Sequence, residues 1–501
     1  MRNPWGKDWL ARYHPIWYAL VLLLDFPQIA IDQSSDLPAY RQIANAVASA
    51  IDKGMLHRGQ RLPATRELAA QLGMNRATIS AAYALLEESG FIQGHVGRGS
   101  FVSEWPGSAQ PSRAQSVESP SVNFATSRPA GDAFPLASFR RLSRAVIEGE
   151  DAAEILQLGS PYGYTPLRRY LLEKARADGI GRAGDDILIT NGCQQALDLV
   201  ARRFATANTK VICEDPVYHG VLRVFARSGC QLLPVQVSSN GLDLDLLEGL
   251  LVQHRPGLIV VTPSFQNPTG ATMDLDARQR LVELASASGA LLVESDIYSE
   301  LRYEGSPLPT LKELDGSGRT LLLGSYSKVS FPGLRVGWAI GPRETISQLA
   351  EEKQISDLHS DQLSQAVSLR FAQSGELERH IERTRETGRQ RLTAALESCE
   401  AHLPEGSRWT RPRGGMSLWI TLPAPLSAEG VLAAVRPQGV DFLPGRQFSL
   451  SQAYLRSLRI SFGGLSPEKI RYGVRMIGEA GNRQLATSVD SWESEPAAAL
   501  V

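Results

Sequence analysis

From residue 122 to residue 482 the chain alternates short, continuous apolar runs with stretches of helical periodicity. The clearest runs, rich in Val, Ile and Leu, are residues 187–190, 211–213, 258–262, 290–294 and 320–324. Runs of this kind predict strands that are buried on both faces, as in a mostly parallel sheet with helices on each side. We therefore predict an α/β fold for this part of the chain.

Length and composition indicate several domains and no general affinity for one class of partner. The 501 residues carry 52 Lys and Arg against 53 Asp and Glu, a net charge of −1, so a nucleic acid or a membrane would have to be held by a local patch. The 4 cysteines form no Cys-x-x-Cys pair. This excludes a disulfide scaffold and a zinc finger, so we expect a cytoplasmic protein without a metal site.

Three segments lie outside the predicted domains. Residues 1–35 form an N-terminal extension without an assigned role, and their apolar run 16–24 is shorter than the roughly 20 residues of a membrane helix. No small-residue cleavage site follows that run, so we expect a packed arm or an upstream extension, not a signal peptide. Residues 104–121, rich in Pro, Ser, Ala and Gln, predict a flexible linker, and residues 483–501 a disordered tail.

Residues 36–103 predict a compact helical unit closed by a hairpin. Helices are expected over residues 40–53, 65–72 and 76–88, with Thr65 and Asn75 as N-caps, and strands over residues 91–93 and 100–102. Two short helices joined at Gly73 are typical of a helix-turn-helix.

Polar and basic residues of this unit are of the types that contact phosphates and base edges. The candidate DNA contacts are Arg61, Arg66, Arg76 and Thr78, with Gly97, Arg98 and Gly99 at the hairpin tip. The basic surplus between residues 36 and 103 is small, so a docking module with solvated arginines is the alternative at this point.

Several motifs of this unit resemble the winged helix of GntR-family transcription regulators. They are residues 38–43, 59–63, 65–69, 76–79, 83–86 and 97–102, in unbroken order. The resemblance implies that Arg66, Arg76, Thr78 and the hairpin tip Gly97–Gly99 contact double-stranded operator DNA. Ala64 stands where the family usually has a serine, which removes one phosphate contact.

A second group of residues indicates a site for a phosphorylated aldehyde. Lys328 directly follows the apolar run that ends at residue 324, and a lysine there can form a Schiff base. Ser325, Ser327 and Arg335 supply hydrogen bonds and charge for a phosphate. The turn made by Gly192, Cys193 and Gln194 opens a helix, whose backbone amides can also bind phosphate.

Four further side chains complete this group. Tyr218 can lie on a ring, Asn267 and Tyr298 can donate to a phenolate oxygen, and Arg459 can pair with a carboxylate. In this order the motifs resemble aminotransferases of fold type I over roughly residues 122–480. Joined to the winged helix, the whole chain is similar to the MocR subfamily of GntR regulators.

The resemblance implies a fold and a set of roles. The fold is that of a type I pyridoxal-phosphate transferase, with a mostly parallel sheet in a large domain and a smaller α+β domain. Lys328 would carry pyridoxal 5′-phosphate, and the other residues named above would hold its phosphate, ring and phenolate oxygen. Arg459 would receive the carboxylate of a small amino compound. The family usually forms head-to-tail homodimers.

One position departs from the family pattern. An Asp three residues before the tyrosine usually pairs with the pyridinium nitrogen, and here Ser295 stands three residues before Tyr298. Either Asp296 takes that role through a local shift, or the nitrogen faces a neutral hydroxyl. A neutral partner would make the ring a poorer electron sink.

These patterns predict a transcription regulator whose aminotransferase-like domain senses an amino compound or the cofactor itself. The alternative is a working aminotransferase that converts an amino acid to a 2-oxo acid and carries an auxiliary DNA-binding module. A third hypothesis, a pyridoxal-phosphate enzyme with an unrelated docking module, has less support from the motifs.

Overall fold

The computed structural model describes residues 38–52, 55–57, 59–88, 91–95, 99–102, 121–450 and 453–493. The chain divides into two compact units, residues 1–117 and 118–501, and the boundary falls within the predicted linker. The N-terminal extension and nearly all of that linker lie outside the described residues, as do Gly97 and Arg98.

The described residues of the first unit form three helices and a hairpin. They are α1 (Ala39–Asp52), α2 (Thr65–Leu72), α3 (Arg76–Glu88), β1 (Ile92–His95) and β2 (Gly99–Val102), and the two strands pair antiparallel. The helices and the hairpin share one core, in which Ile43, Val47, Ile79, Tyr83 and Leu86 are all buried.

The helix ends of this unit confirm one predicted cap and correct the other. Asn75 Oδ1 accepts the backbone N–H of Ala77 at 2.9 Å, as an N-cap side chain does. Thr65 as N-cap was wrong, because Ala64 holds that position and the Glu67 carboxylate accepts its N–H at 3.1 Å. Gly73, at φ 63°, ends α2 in the left-handed conformation that glycine adopts most easily.

The second unit opens with a short strand and three helices: β3 (Val122–Asn123), α4 (Leu136–Ile147), α5 (Ala152–Ile155) and α6 (Thr165–Ala177). The large sheet and its helices follow as β4 (Asp185–Asn191), α7 (Cys193–Phe204), β5 (Lys210–Asp215), α8 (His219–Arg227), β6 (Gln231–Ser238), β7 (Gly241–Leu242), α9 (Leu244–His254), β8 (Leu258–Val261), α10 (Leu275–Ser288), β9 (Leu291–Asp296), α11 (Leu311–Leu314), β10 (Thr320–Ser325) and β11 (Val336–Pro342). The last elements are α12 (Arg343–Asp357), α13 (Gln362–Gln373), α14 (Glu376–His402), β12 (Arg408–Trp409), β13 (Ser417–Thr421), α15 (Ala428–Val435), β14 (Val440–Asp441), β15 (Leu443–Pro444), β16 (Ser457–Ser461) and α16 (Pro467–Glu493).

The large sheet has eight strands in the order β4-β11-β10-β9-β8-β5-β6-β7. The neighbours from β10 to β6 pair in parallel, whereas β11 runs antiparallel to both β10 and β4. The five apolar runs of the sequence coincide with β4, β5, β8, β9 and β10, so the mostly parallel α/β sheet is confirmed. The glycine-containing strand β11 was not predicted, because glycine is depleted in strands.

Successive residues of the central strands face opposite helical layers. In β9, Val293 packs into a cluster with α7, α8 and α12, whereas Leu292 packs into a cluster with α9 and α10. This alternation follows from the period of two in a strand, and it covers both faces of the sheet with helices.

A smaller α+β layer completes the unit. Four strands in the order β12-β13-β16-β15 form an antiparallel sheet that shares a core with α14, α15 and α16. The prediction of a disordered tail was wrong for residues 483–493, because α16 continues to Glu493 and Leu485 packs on the core. Among the described residues, no helix is both long and apolar enough to cross a bilayer.

Candidate functional site

A cavity of about 480 Å³ lies where several parallel strands of the large sheet end. Its wall includes residues within three positions of the carboxyl ends of β4, β5, β8 and β10, which is where ligands bind in open α/β sheets. The cavity brings together ten of the predicted site residues: Cys193, Gln194, Tyr218, Asn267, Tyr298, Ser325, Ser327, Lys328, Arg335 and Arg459.

Lys328 ends a single 3₁₀ turn, Tyr326–Lys328, immediately after β10. Its Nζ atom donates to the backbone carbonyl oxygen of Ser127 at 2.5 Å and lies 5.7 Å from the ring centroid of Tyr298. The strand therefore fixes the backbone of the lysine while its amine reaches into the cavity. Ser127 carries no signal in the sequence, because it meets Lys328 only through the tertiary fold.

The start of α7 and the side chain of Arg335 form a compact cradle. Gly192 is the N-cap of α7 at φ 78°, and a Cβ atom at this position would lie 2.4 Å from Arg335 Nη2. The guanidinium donates to the carbonyl oxygen of Asn191 at 3.1 Å. Backbone amides at a helix N-terminus beside a guanidinium make a site that suits a phosphate group.

Two serine hydroxyls lie on the same wall. Ser325 Oγ accepts the backbone N–H of Ser327 at 3.1 Å and lies 2.9 Å from Ser327 Oγ. It also lies 3.0 Å from the carbonyl oxygen of Val336. These contacts hold both hydroxyls at the strand end from which Lys328 also projects.

Arg459 enters the cavity from β16 of the smaller layer. It is 1% exposed, donates to Asn267 Oδ1 at 3.3 Å, and donates to the carbonyl oxygen of Ala125. Burial lowers the pKa of its guanidinium to about 10, so the group remains charged at neutral pH. A buried cation that still has a free buried Nε atom is suited to binding a carboxylate.

Two titratable residues of the wall, His219 and Arg223, were not predicted from the sequence. His219 follows Tyr218, and burial together with Arg223 and Arg459 lowers the pKa of its imidazole to about 4, so it is neutral at neutral pH. Arg223 adds a further cation and makes no ion pair with another described residue. Burial also raises the pKa of the Tyr218 hydroxyl, so it stays protonated.

The structure corrects the expected position of Asp296. Its side chain lines a different cavity, of about 370 Å³, and its Oδ2 accepts the hydroxyl of Ser299 at 2.8 Å. Ser295, one residue earlier in the strand, lines the cavity of Lys328. The physical reason is the strand alternation of β9, which turns neighbouring side chains to opposite faces.

The candidate DNA contacts lie in the first unit. Arg61, Arg66 and Arg76 are exposed and Thr78 is half-buried, at the start of α3. A Cβ atom on Gly99, at φ 102°, would lie 3.2 Å from Arg61 Nε, so this glycine allows Arg61 to pack against the hairpin. Gly97 and Arg98 fall outside the described residues.

Among the described part of the chain, no group of three or more His, Cys, Asp or Glu is placed to hold a metal ion.

Together the sheet order, the lysine at a strand end and the phosphate cradle define an aminotransferase-like domain. Residues 121–477 match the family described as aminotransferase class I and II, and residues 39–102 match that of bacterial regulatory proteins of the gntR family. The chain belongs to the aminotransferase class I and II family, and it carries a gntR-type winged helix in front of that domain.

Individual relatives match either one unit or nearly the whole chain. The 2-aminoadipate transaminase of Thermus thermophilus is 37% identical over 72% of this chain and 89% of its own length. The probable rhizopine catabolism regulatory protein MocR of Rhizobium meliloti is 28% identical over 90% of this chain and 95% of its own. The crystal structure of the α-aminoadipate aminotransferase LysN from Thermus thermophilus, complexed with N-(5′-phosphopyridoxyl)-L-leucine, matches with a TM-score of 0.69 and 36% identity, covering 73% of this chain and 93% of that one.

The cavity fits pyridoxal 5′-phosphate, the cofactor of this family. Four buried polar atoms of its wall have no hydrogen-bond partner among the described residues: Ser127 Oγ, Gln194 Oε1, His219 Nδ1 and Arg459 Nε. Buried polar groups are nearly always hydrogen-bonded, so their free state indicates that they bind a polar ligand. The cradle at Gly192 and Arg335 suits its phosphate, and the amine of Lys328 suits its aldehyde.

Proposed function

We propose that the protein is a pyridoxal-phosphate-dependent regulator of transcription. Its winged helix binds operator DNA, and its aminotransferase-like domain senses a small amino compound or the cofactor. The observation that carries the proposal is the presence of both units in one chain, since relatives named as regulators match nine tenths of its length. We propose a cytoplasmic location for the protein, because that is where it would meet chromosomal DNA.

In the sensor domain, each group of residues has one role toward the cofactor. Arg335, Ser325, Ser327 and the turn Gly192–Gln194 bind the phosphate, because they supply a cation, hydroxyls and helix amides on one wall. Lys328 holds the aldehyde carbon. The bound cofactor supplies an electrophilic carbon that condenses with amines, so it makes the cavity selective for primary amines.

The remaining residues orient the ring and the amino compound. Tyr218 lies against the ring, and Asn267 and Tyr298 bind its phenolate oxygen. Arg459 binds the carboxylate of an amino compound. Because Arg459 Nη1 already contacts Asn267 Oδ1 at 3.3 Å, a bound carboxylate would be coupled to the residue that holds the ring.

In the DNA-binding unit, Arg66, Arg76 and Thr78 contact the operator, and so do Arg61 and the hairpin residues 97–99. A ligand of the sensor domain changes DNA affinity only if it binds better to one of two states of the chain.

We propose a head-to-tail homodimer as the unit that binds DNA. Three large apolar side chains that are more than two thirds exposed support a dimer interface: Leu156, Leu158 and Ile355.

The second candidate function is that of a working aminotransferase with an auxiliary DNA-binding unit. The observation that favours it is the 37% identity to a transaminase, which exceeds the 28% identity to the regulator MocR. It predicts steady turnover of an amino acid and a 2-oxo acid.

The test begins with the full-length chain loaded with pyridoxal 5′-phosphate and reduced with borohydride. We expect a phosphopyridoxyl group on Lys328 by peptide mass spectrometry, absent in Lys328→Ala and retained in the control Lys469→Ala, an exposed lysine. DNA binding is then measured with a fragment from upstream of its own gene, with and without a set of amino compounds. Sequence-specific binding supports the regulator. Turnover without DNA binding supports the aminotransferase, and absence of the adduct contradicts both.

A further inference from the structure

Basic side chains outnumber acidic ones in the wall of the Lys328 cavity. Among the described residues that line it, none is Asp or Glu, whereas four are Arg or Lys. These four are Arg223, Lys328, Arg335 and Arg459. A ligand in this cavity therefore meets an excess of positive charge, which suits a phosphate and a carboxylate and opposes any further cation.

The carboxylates nearest to Ser295 in sequence are held on the opposite face of the sheet. Glu294 is fully buried and accepts the backbone N–H groups of Leu311 and Lys312 at 2.9 Å each. Asp296 accepts the hydroxyl of Ser299 at 2.8 Å. To turn either side chain into the cavity, β9 would have to shift its register by one residue and lose its parallel pairing with β8 and β10.

A third carboxylate lies close to the start of α7 but is fully engaged. Asp357 Oδ2 accepts the side-chain amides of Asn191 at 2.8 Å and Gln195 at 2.6 Å, and its Oδ1 accepts from Lys353 at 2.6 Å. Lys353 is itself completely buried, so Asp357 is fixed as its countercharge. It does not line the cavity.

Two further titratable groups among the described lining residues, Cys193 and His219, supply no anion either. Cys193 Sγ lies 3.9 Å from Ser295 Oγ, and burial raises the pKa of this thiol to about 11. His219 is neutral, because burial and the neighbouring arginines lower its pKa to about 4. Ser295 and Cys193 together form a neutral hydroxyl–thiol wall at the end of β9.

We propose that pyridoxal 5′-phosphate bound in this cavity keeps its ring nitrogen unprotonated at neutral pH, and that Ser295 is the residue that sets this state. The proposal rests on the cofactor site of the proposed function. With Lys328 bonded to the cofactor, the wall still holds three arginines, and no described residue of it is an anionic partner for a protonated ring nitrogen. The neutral hydroxyl of Ser295 accepts or donates a hydrogen bond but cannot stabilise a pyridinium as a carboxylate does.

This state makes the domain a receptor in preference to a catalyst. An unprotonated ring withdraws electrons weakly, so proton removal from a bound amino compound is slow. The amine-binding chemistry at Lys328 does not depend on that step. The chain therefore binds an amino compound at its cofactor without consuming it quickly, which a sensor requires.

The experiment uses full-length protein loaded with pyridoxal 5′-phosphate that is labelled with ¹⁵N in the ring, and it records the nitrogen chemical shift near pH 7. We expect the native chain to give the shift of an unprotonated pyridine. Ser295→Asp places a carboxylate in the cavity, and we expect a pyridinium shift and an increase of about 10- to 1,000-fold in the protonation constant of the ring. Ser295→Asn is the matched control, because it has the size of Asp without its charge, and it should resemble the native chain.

The native spectrum alone can overturn the proposal. A pyridinium shift in the native chain means that an anionic partner reaches the ring, whatever the variants do. An unprotonated ring in Ser295→Asp, with the cofactor still on Lys328, means that Ser295 does not set the state. Failure of the proposed function gives a different result: no labelled cofactor is then retained on Lys328, and there is no bound nitrogen signal.

Discussion

The guanidinium of Arg335 lies directly over Gly192, at a distance that leaves no room for a side chain. A Cβ atom on Gly192 would approach Arg335 Nη2 to 2.4 Å and its Cζ to 3.0 Å. In this position Arg335 donates to the carbonyl oxygen of Asn191 at 3.1 Å, a contact that it would lose if a side chain at residue 192 displaced it. The phosphate cradle therefore requires a glycine at position 192, because Arg335 occupies the space of a Cβ atom.

We predict that Gly192→Ala weakens binding of pyridoxal 5′-phosphate by at least about 10-fold, since the methyl group displaces Arg335 from the cradle. The variant also loses about 1 to 3 kcal/mol of stability, because φ 78° with ψ 169° is a conformation that only glycine adopts easily. Gly184→Ala is the control, because a Cβ atom there meets nothing within 4 Å and its φ is not positive. Cofactor affinity is measured by fluorescence titration, and equal affinity in both variants would contradict the role of the cradle.

A second prediction concerns Arg459 and the carboxylate of the amino compound. Arg459→Met removes a buried charge-assisted contact that is worth about 1.5 to 3 kcal/mol, so amino acids should bind roughly 10- to 100-fold more weakly. The same variant should bind the corresponding decarboxylated amines almost as well as the native chain. The measurement is the change in absorbance of the bound cofactor on titration with both series. Arg456→Met, on the neighbouring segment and bonded to the Leu422 carbonyl, is the control.

A third prediction concerns the winged helix. Replacing Arg66 and Arg76 with Ala should abolish sequence-specific binding and reduce the slope of log affinity against log salt by about 2, because each arginine neutralises one phosphate of the DNA backbone. Arg408→Ala, an exposed arginine of the other unit, should leave both quantities unchanged. Fluorescence anisotropy at several salt concentrations measures them. A double variant with the native slope would show that these arginines do not bind phosphates.

A fourth prediction concerns pH and the buried Glu214. Burial raises the pKa of this carboxyl from 4.5 to about 8, although the hydrogen bonds that Thr262 and Gln266 donate to it lower the pKa. Between these values the folded chain keeps a proton that the unfolded chain releases, so this residue lowers the free energy of unfolding as the pH rises. Glu214→Gln removes that dependence. The difference between the thermal midpoint of the variant and that of the native chain should therefore increase in favour of the variant from pH 5 to pH 8, the range between the two pKa values. Glu405→Gln, at an exposed position, should show a difference from the native chain that is independent of pH.

Local patterns predicted most of the elements and most of the residues of the cavity. The five apolar runs became β4, β5, β8, β9 and β10, and ten predicted site residues line one cavity, because apolar periodicity and strand-end motifs are local properties of the chain. Glycine-containing β11 was missed, since its glycines lower strand propensity. A Cβ atom on Gly337 of β11 would lie 2.8 Å from the backbone of Gly192, so close packing against β4 and α7 requires that glycine.

The sequence by itself determined the two families of motifs, the order of strands and helices, and the presence of Lys328 at a strand end. Only the tertiary structure decided the environment of that lysine. Its amine meets the carbonyl of Ser127, which is 201 residues away, and Arg459 crosses from another sheet to Asn267. It also decided that Ser295 faces the cavity while Asp296 faces away, because the pairing of β9 with its neighbours fixes the register of the strand, and that register determines the face on which each side chain lies.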